Sequence, residues 1–445
     1  MLASLLASFK IPDLKKRIMF LFGMFAVYVL GLHITVPGVD ASILQSRLGG
    51  GQTDLFTLFD AFTGGAFKKF TIFAMGIMPY INASIIMQLL TIAIPQLEQM
   101  QKEGAAGQKK IRLYTRWLTG VLALFQSYGM TTWLKSIGAV QSTGGAFDWR
   151  VLQIAITLVA GTSFLMWMGE QISDKGIGNG VSVVIFTGIV AYLPSQIIGT
   201  WQVELLTNRN YVGVAALAIT FVATVAFIVA ITQAQRKIPI QHVKRIVGNK
   251  MVGGQSSFLP LKVNSAGVIP IIFAQSLLIF PVYVLRWLAS LAGGTGFGSF
   301  LARLILWIQP GSFGYVVIYI AMIFFFCYFW TAVVFNPVKM ADDMKQYGHF
   351  VPGIRPGART AAHLERLMTR VTLAGAAFLS LIAILPQLVH HALGISWQMA
   401  LIFGGTGLLI VVGVALELIR QIESHLLMRH YDGFLRTGGR IRGRR

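Results

Sequence analysis

The sequence predicts an all-α polytopic membrane protein, and three observations lead to this fold class. The chain of 445 residues is 55% hydrophobic and has a mean hydropathy of +0.68. Only 12% of its residues are charged, whereas soluble domains carry about 25%. Ten segments are apolar over the roughly 20 residues that a helix needs to cross a bilayer.

Ten spans divide into two halves of five, and an odd number per half makes the halves antiparallel, as in inverted-repeat membrane folds. Spans two and seven contain Pro79 and Pro270, which membrane helices tolerate where neighbours satisfy the freed carbonyl. We expect one half over 18–201 and the other over 212–418. The predicted spans are 18–37, 70–94, 115–135, 151–171, 181–201, 212–233, 263–290, 313–336, 370–389 and 398–418.

The distribution of Lys and Arg predicts the orientation of these spans. With the N-terminus inside, 29 of the 37 basic residues fall in cytoplasmic segments and 8 in outer segments. The positive-inside rule therefore places both termini in the cytoplasm. Residues 1–17 are expected to be an interfacial segment on the membrane surface, and residues 419–445 a basic cytoplasmic tail.

The outer segment between the first two spans, 38–69, contains the apolar stretch DLFTLFDAFTGGAFKKF. This stretch is too short to span a bilayer and contains Gly64-Gly65. One interpretation is a surface loop with a short amphipathic helix. The other is a re-entrant half-helix, which membrane depth allows only where protein or a water cavity surrounds it.

Two cytoplasmic segments carry unusual groups of basic residues. In GHFVPGIRPGART (348–360), the pairs Pro352-Gly353 and Pro356-Gly357 predict tight turns on either side of Arg355. The second segment is the basic run QAQRKIPIQHVKRIVGNK (233–250). With a net charge of +21, the chain is expected to meet anionic partners such as nucleic-acid phosphate, acidic protein or lipid head groups.

The sequence lacks the motifs of several enzyme classes. It contains no HExxH, GxSxG or GxxxxGK[ST] pattern, so we expect no catalytic residues, cofactor or metal site. GIGNG (176–180) is glycine-rich but does not follow a predicted strand, which argues against nucleotide binding. Cys327 lies in an apolar run and is expected to be a buried small hydrophobe rather than a reactive thiol.

Five long motifs occur along the chain: FAMGIMPYINASIIMQLLT (73–91), FLMWMGEQISDKGIGNGVSVVIF (164–186), LPLKVNSAGVIPIIF (259–273), TAVVFNPVKMADD (331–343) and FVPGIRPG (350–357). Together they resemble the SecY family, the channel subunits of the bacterial Sec translocon, and the resemblance runs through the whole chain in order. It implies a ten-helix clamshell of two inverted five-helix halves, with a pore between them and a re-entrant plug helix. It also implies a channel that passes unfolded secretory polypeptides across the bacterial cytoplasmic (inner) membrane and releases transmembrane segments sideways.

The resemblance assigns the pore constriction to six residues, which we call the ring residues. Two pairs among them are spaced i, i+4, so each pair shares one helix face. Branched apolar side chains cannot coordinate an ion, and a ring of them tends to dewet. From spacing alone, ordinary packing in an apolar helix is the favoured explanation, and only the resemblance assigns these residues to a pore. The ring residues are Ile77, Ile81, Val181, Ile185, Ile272 and Ile410.

The resemblance also assigns a plug and a side opening. The plug corresponds to about 54–67 and includes Leu55, Phe56, Leu58, Phe59, Phe62, Gly64 and Gly65. The side opening, or lateral gate, lies between spans two and three and spans seven and eight, near Gln88, Gln126 and Gln275. Glutamines in such positions also serve as ordinary interhelical hydrogen-bonding groups.

The two basic segments correspond to the family's cytoplasmic prongs, about 233–262 and 337–369. The prongs are implied to dock the translating ribosome and the SecA motor, and Asn249-Lys250 departs from the consecutive arginines of many relatives. The other implied partners are SecE-like and SecG-like small membrane subunits, signal peptides with unfolded preproteins, and anionic lipids. The docking residues are expected to be Arg236, Lys237, Lys244, Arg245, Lys250, Arg355 and Arg359.

Two other functions compete with the channel. A secondary transporter of a small solute is favoured by the five-plus-five topology alone. No Asp, Glu, Lys or Arg lies near the middle of a predicted span, although such a group usually binds the coupling ion. An intramembrane enzyme would need a nucleophile–base pair or a metal-ligand set, and the sequence suggests neither.

Overall fold

The computed structural model describes the chain from residue 11 to residue 437 with gaps. The described residues are 11–48, 60–140, 148–200, 202, 209, 211–242, 245–247, 250–252, 256–264, 267–292, 296–309, 311–395, 397, 400 and 405–437. Within them the fold is helical except for one group of short strands. Much of the N-terminal interfacial segment and the last part of the basic tail lie outside this set.

The helices before residue 201 overlap the first five predicted spans. They are α1 (Pro12–Gly31), α2 (Ala41–Leu48), α3 (Met78–Ala93), α4 (Pro95–Lys102), α5 (Ala105–Ser136), α6 (Trp149–Lys175) and α7 (Gly180–Thr200). The helices after residue 210 cover the other five. They are α8 (Tyr211–Gln233), α9 (Ile269–Ala292), α10 (Gly296–Ile308), α11 (Phe313–Val334), α12 (Pro337–Gln346), α13 (Ala358–Leu393) and α14 (Thr406–Thr437).

The second predicted span is helical only in part, which corrects the prediction for 70–94. Residues 64–77 form turns with one isolated bridge, and α3 begins at Met78. Pro79 sits in the first turn of α3, where its missing N–H costs no hydrogen bond and its fixed φ suits the helix start. The proline was expected inside a continuous helix, and it marks a helix start instead.

Two helices begin well before their predicted spans. Helix α5 begins at Ala105 rather than 115, and α13 begins at Ala358 rather than 370. Each follows a glycine with positive φ, Gly104 at 75° and Gly357 at 103°. Hydropathy marks the apolar stretch, whereas the start of a helix depends on the local backbone, so the two boundaries differ.

Some of the ten predicted spans are helices that are long and apolar enough to cross a membrane. Among the described residues, five helices are long and apolar enough, and a sixth is added if α3 and α4, bent by 100°, form one broken span. The five helices begin at Trp149, Gly180, Tyr211, Phe313 and Ala358. The full set of ten spans remains a prediction.

The segment 235–262, predicted to be cytoplasmic, contains strands, so the fold is mostly helical rather than all-α. Strands β1 (Gln235–His242), β2 (Arg245–Val247), β3 (Lys250–Val252), β4 (Ser256–Lys262) and β5 (His349–Phe350) form two small sheets. In the larger sheet β1 pairs antiparallel with both β4 and β5. The alternation in β1 places Ile238 and Ile240 against a small apolar core, while Lys237, Pro239 and Gln241 on the other face are exposed. This period-2 pattern was present in the sequence but was interpreted only as a charge run.

The two halves meet along two helix interfaces. Helices α3 and α5 pack against α9 on one side, and α7 packs against α14 on the other. One large apolar cluster connects the halves and includes Ile81 from α3, Ile185 from α7, Ile272 from α9 and Ile410 from α14. The centre of the molecule is therefore lined by helices from both halves.

Candidate functional site

The six ring residues lie in one apolar cluster at the centre of the fold. Five of them are buried, and Val181 is half-buried and packs against the cluster. Ile77 precedes α3, and the other five lie in the first two turns of their helices. Those five are Ile81 in α3, Val181 and Ile185 in α7, Ile272 in α9 and Ile410 in α14. Four helices thus bring apolar side chains to one place.

The start of α7 is fixed by side chains that satisfy its first N–H groups. Asn179 Oδ1 accepts hydrogen bonds from the N–H of Val181 at 3.1 Å and of Ser182 at 3.3 Å. Ser173 Oγ accepts from the N–H of Gly180 at 2.9 Å. Because capping groups hold the N-terminal turn, the position of Val181 is set by the loop before it.

A cavity of about 390 Å³ adjoins the ring residues. Ser182, which follows Val181, lines it, as does Leu409, which precedes Ile410. The rest of the lining is mainly polar and includes Asn179, Asn264, Arg420 and Gln421. The apolar ring therefore borders a cavity lined by both polar and apolar groups, on the side where α7 begins.

Residues 60–67, which we call the buried outer segment, lie against α7 and α1. Asp60, Phe62, Thr63, Ala66 and Phe67 are all buried. This burial disfavours an exposed surface loop for this part of the predicted plug. The remaining predicted plug residues Leu55, Phe56, Leu58 and Phe59 lie outside the described residues.

Glycines allow the buried outer segment to approach α7 closely. A Cβ on Gly64 would lie 2.7 Å from the carbonyl oxygen of Gly188, and Gly64 also has a φ of +75°. A Cβ on Gly188 would lie 2.7 Å from Tyr28 Oη and 3.0 Å from the carbonyl oxygen of Phe62. Neither position has room for a side chain, so the backbones are in direct contact.

Hydrogen bonds hold the same segment at its start and in its middle. Asp60 Oδ1 accepts from the N–H of Lys68 at 2.8 Å, and Asp60 Oδ2 accepts from Tyr192 Oη at 3.1 Å. Tyr28 Oη donates to the carbonyl oxygen of Thr63 at 3.1 Å. A buried carboxylate is costly unless hydrogen bonds satisfy it, so Asp60 depends on these partners.

The buried outer segment also reaches the ring. Gly76, directly before Ile77, has a φ of +56°, and a Cβ there would lie 2.9 Å from Thr63 Cγ2. The carbonyl oxygen of Gly76 accepts from Thr162 Oγ1 at 3.4 Å. Thr63 therefore packs against the backbone just before Ile77, and Thr162 of α6 holds the same backbone by a hydrogen bond.

The three glutamines of the predicted side opening have different environments. Gln126 is buried in α5, Gln88 donates to Ser84 Oγ at 3.4 Å within α3, and Gln275 donates to Thr406 Oγ1 at 3.1 Å. The last bond connects α9 to α14 rather than to α3 or α5. Each glutamine has one buried amide atom without a hydrogen-bond partner among the described residues.

The contact across the predicted opening comes from other residues. Ser276 Oγ in α9 donates to Met78 Sδ in α3 at 3.2 Å. Sulfur is a weak acceptor, so this bond adds little energy to the α3–α9 interface. Sequence reasoning missed the pair because a serine suggests an interhelical hydrogen bond, but a methionine thioether is not an expected acceptor.

The two predicted prongs share one small core. Ile238 and Leu261 from the β1–β4 hairpin pack with Val351, and with Leu364 and Met368 of α13. Strand β5 joins the hairpin directly to the segment before Pro352-Gly353. The prongs are therefore one structural unit rather than two independent loops.

Arg355 projects from this unit. Gly353 has a φ of +78° and Gly357 a φ of +103°, as the Pro-Gly pairs predict. Arg355 is exposed, and its carbonyl oxygen accepts from Thr360 Oγ1 at 3.0 Å, which fixes the loop to α13. Arg359 is also exposed. Lys244 lies outside the described residues, and for Arg245 and Lys250 only the strand backbone is described.

Sequence reasoning also missed an ionic contact between α5 and α6. Arg116 Nε and Nη2 donate to the two carboxylate oxygens of Glu170 at 2.8 and 2.6 Å. This bidentate geometry is the strong form of an ion pair. Arg116 lies at the edge of an apolar segment, but its partner, 54 positions later, could not be identified from spacing.

The chain was compared with known proteins and solved structures. The SecY family model matches residues 71–419. The protein translocase subunit SecY of Escherichia coli strain K12 is 42% identical over 428 residues, covering 95% of this chain and 94% of that protein. Two solved structures share the fold at low identity, and each alignment covers 93% of both chains. They are a protein-conducting channel, with a TM-score of 0.62 and 18% identity, and Sec61 in the canine ribosome–channel complex from the endoplasmic reticulum, with 0.59 and 17%.

The family model covers most of the chain, and the matched region contains all six ring residues. The relative from Escherichia coli is similar over nearly the full length of both proteins. The chain therefore belongs to the SecY family.

Proposed function

We propose that this chain is the protein-conducting channel of a bacterial translocon, and that the ring residues form its constriction. The observation that carries the proposal is the meeting of four helices from both halves at one cluster of branched apolar residues. Such a ring obstructs ions because it offers no coordinating atom and dewets readily. It also lacks groups that would bind one peptide sequence, so varied side chains can slide past.

The buried outer segment is proposed to be the end of the plug. It contacts α7 through Gly64 and Gly188 and reaches the residue before Ile77 through Thr63. With these contacts the segment would close the pore from one side. It could also be displaced, because only a few hydrogen bonds connect it to α1 and α7. The α3–α9 interface, with its weak Ser276–Met78 bond, is proposed to be the lateral gate.

Ten spans, cytoplasmic termini and residence in the bacterial inner membrane complete the proposed arrangement. The charge asymmetry of the loops supports this orientation. Similarity to a channel within a ribosome complex supports a ribosome as one cytoplasmic partner. A SecA motor, SecE-like and SecG-like subunits, signal peptides and anionic lipids are proposed on the family resemblance alone. Family membership also favours the channel over the small-solute transporter and the intramembrane enzyme.

A transport assay tests this function directly. The protein, with the subunits that co-purify with it, is reconstituted into vesicles and given an unfolded secretory precursor, a motor ATPase and ATP. Protection of the precursor from added protease is the expected result. A small-solute transporter would instead leave the precursor as accessible as in protein-free vesicles, and this result would refute the proposal.

A further inference from the structure

The GIGNG loop between α6 and α7 contacts α14, which belongs to the other half of the chain. The N–H of Gly178 donates to Gln421 Oε1 at 2.7 Å. Gly178 has a φ of +89°, and a Cβ there would lie 2.6 Å from Leu418 Cδ2. The glycine is therefore required by both its backbone conformation and its close approach to α14.

An apolar contact and a second polar contact surround this bond. Ile177 of the loop packs with Leu14 and Ile18 of α1 and with Ile422 of α14. Arg17 Nη1 also donates to the carbonyl oxygen of Gly176 at 3.1 Å. We call this group of contacts among α1, the loop and α14 the clasp.

Two helices, α7 and α14, connect the clasp to the ring residues. Helix α7 begins two positions after Gly178 and carries Val181 in its first turn. Helix α14 is continuous from Thr406 to Thr437, so Gln421 and Ile410 belong to one rigid rod. These two residues lie about three turns apart on nearly the same helix face.

Two further contacts show that α7 and α14 run side by side from the clasp to the ring. Ser182 and Gly413 line the same cavity. Further along, a Cβ on Gly407 would lie 3.9 Å from Ile189 Cγ2. A shift of one helix at the clasp is therefore passed to the ring, because closely packed helices slide as units.

We propose that Gln421 is a positioning residue for the ring: by holding Gly178, it sets the register of Val181 and Ile185 against Ile410. This inference rests on the proposed function, since it assumes that the ring closes the pore. It gives the GIGNG motif a role as an inter-half fastener and not as a nucleotide-binding loop. The clasp lies at the start of α7, and the buried outer segment contacts the middle of this helix at Gly188 and Tyr192, so α7 is held at two places.

The test compares substitutions at Gln421 in the full chain, reconstituted with its co-purifying subunits. Gln421→Leu removes the acceptor for the Gly178 N–H. Gln421→Met removes the same acceptor and is used instead if the Leu variant fails to accumulate. Gln421→Glu keeps an acceptor oxygen and serves as the conservative rescue. His425→Leu, an exposed change one turn further along α14, is the matched control. A ring variant in which Ile81, Ile185 and Ile410 become Ser is measured in parallel.

Two readouts are recorded: the resting ion conductance in planar bilayers, and the distance between spin labels at Lys175→Cys and Leu427→Cys in a Cys327→Ser background. We expect Gln421→Leu to broaden the distribution of distances between the two labels and to raise the resting conductance about fivefold. Loss of one net hydrogen bond shifts the equilibrium between closed and open channels by about this factor. Gln421→Glu and His425→Leu should match the parent protein in both readouts.

Three results would overturn the inference while leaving the proposed function intact. The Leu variant could stay sealed while the ring variant leaks, it could leak with an unchanged label distance, or the Glu variant could leak as much as the Leu variant. If the ring variant itself stays sealed, the proposed closure of the pore fails, and the positioning role fails with it.

Discussion

Tyr192 Oη donates a hydrogen bond to Asp60 Oδ2 at 3.1 Å, which connects α7 to the start of the buried outer segment. Asp60 is almost fully buried, and its other oxygen accepts from the N–H of Lys68. The bond joins residues 132 positions apart, in elements that the proposed function requires to separate when the channel opens. It is one of the few polar contacts that hold the proposed plug in place.

Removal of this bond should loosen the plug. Tyr192→Phe leaves one oxygen of Asp60 without its donor, and a buried group left without a partner costs about 1–3 kcal/mol. We expect a cysteine at Phe62 to react faster with a membrane-impermeant thiol reagent in the Tyr192→Phe background, with Cys327 replaced by Ser. Tyr211→Phe, which changes an exposed tyrosine of α8, should leave the rate unchanged. Equal labelling in the parent and both variants would show that Asp60 and Tyr192 do not retain the segment.

Plug occupancy should also respond to a translocating chain. A cysteine at Phe62 is expected to be protected at rest and to become accessible when a stalled precursor occupies the pore, because the precursor displaces the buried outer segment. The measurement is the labelling rate with and without the stalled precursor. Identical rates in the two states would mean that residues 60–67 are a fixed part of the wall.

The close approach of Gly64 to Gly188 makes a second test possible. Gly188→Ala would place a Cβ 2.7 Å from Tyr28 Oη and 3.0 Å from the carbonyl oxygen of Phe62, so the segment must move. We expect a higher resting conductance. Gly199→Ala is the matched control, since a Cβ there meets no atom within 4 Å, and alanine in an exposed part of a helix stabilises it by up to about 1 kcal/mol. The prediction fails if the two alanine variants of α7 have the same conductance.

Arg355 is expected to be a docking residue. Arg355→Glu should abolish motor-driven export, because like charges at a docking surface cost several kcal/mol. Protein abundance should stay normal, since an exposed loop charge contributes little to stability. Arg355→Lys should be partly defective, because an ammonium cannot reproduce a bidentate guanidinium contact.

ATP-driven translocation of a secretory precursor into vesicles measures this effect. Arg303→Glu is the matched charge reversal, since Arg303 is an exposed residue of α10 in a segment predicted to face outward. Near-normal export by Arg355→Glu would exclude a docking role. Loss of export together with loss of the protein would instead make Arg355 a residue needed for folding.

Much of the helical frame could be predicted from the sequence because membrane helices are determined locally. Each of the ten apolar stretches predicted as a span overlaps a helix of the structure, at least in part. The Pro-Gly pairs predicted the turns around Arg355. The predicted helix ends were less accurate: α3 begins at Met78, with Pro79 in its first turn, and Gly104 and Gly357 allow α5 and α13 to begin early. The strands of the first prong were missed because their alternation was hidden by charge.

The site was only partly predictable. Spacing places Ile77 and Ile81 on one helix face but cannot bring them to Ile410, more than 300 positions later. The family resemblance supplied that grouping, and the fold places the residues in one cluster. The contacts of Asp60 with Tyr192, of Gly64 with Gly188 and of Gly178 with Gln421 depend on tertiary structure, and nothing in their local sequence identifies the partner.

The resting conductance of a ring variant tests the central claim most directly. In the full chain, Ile81, Ile185, Ile272 and Ile410 are replaced together by Ser, and the protein is reconstituted with its co-purifying subunits into planar bilayers. Serine hydroxyls can coordinate water and ions where branched carbons cannot, so a ring of serines should conduct at rest. The account predicts a continuous ion leak in the variant and a closed parent channel. A variant as tightly sealed as the parent, present in equal amount, would contradict it.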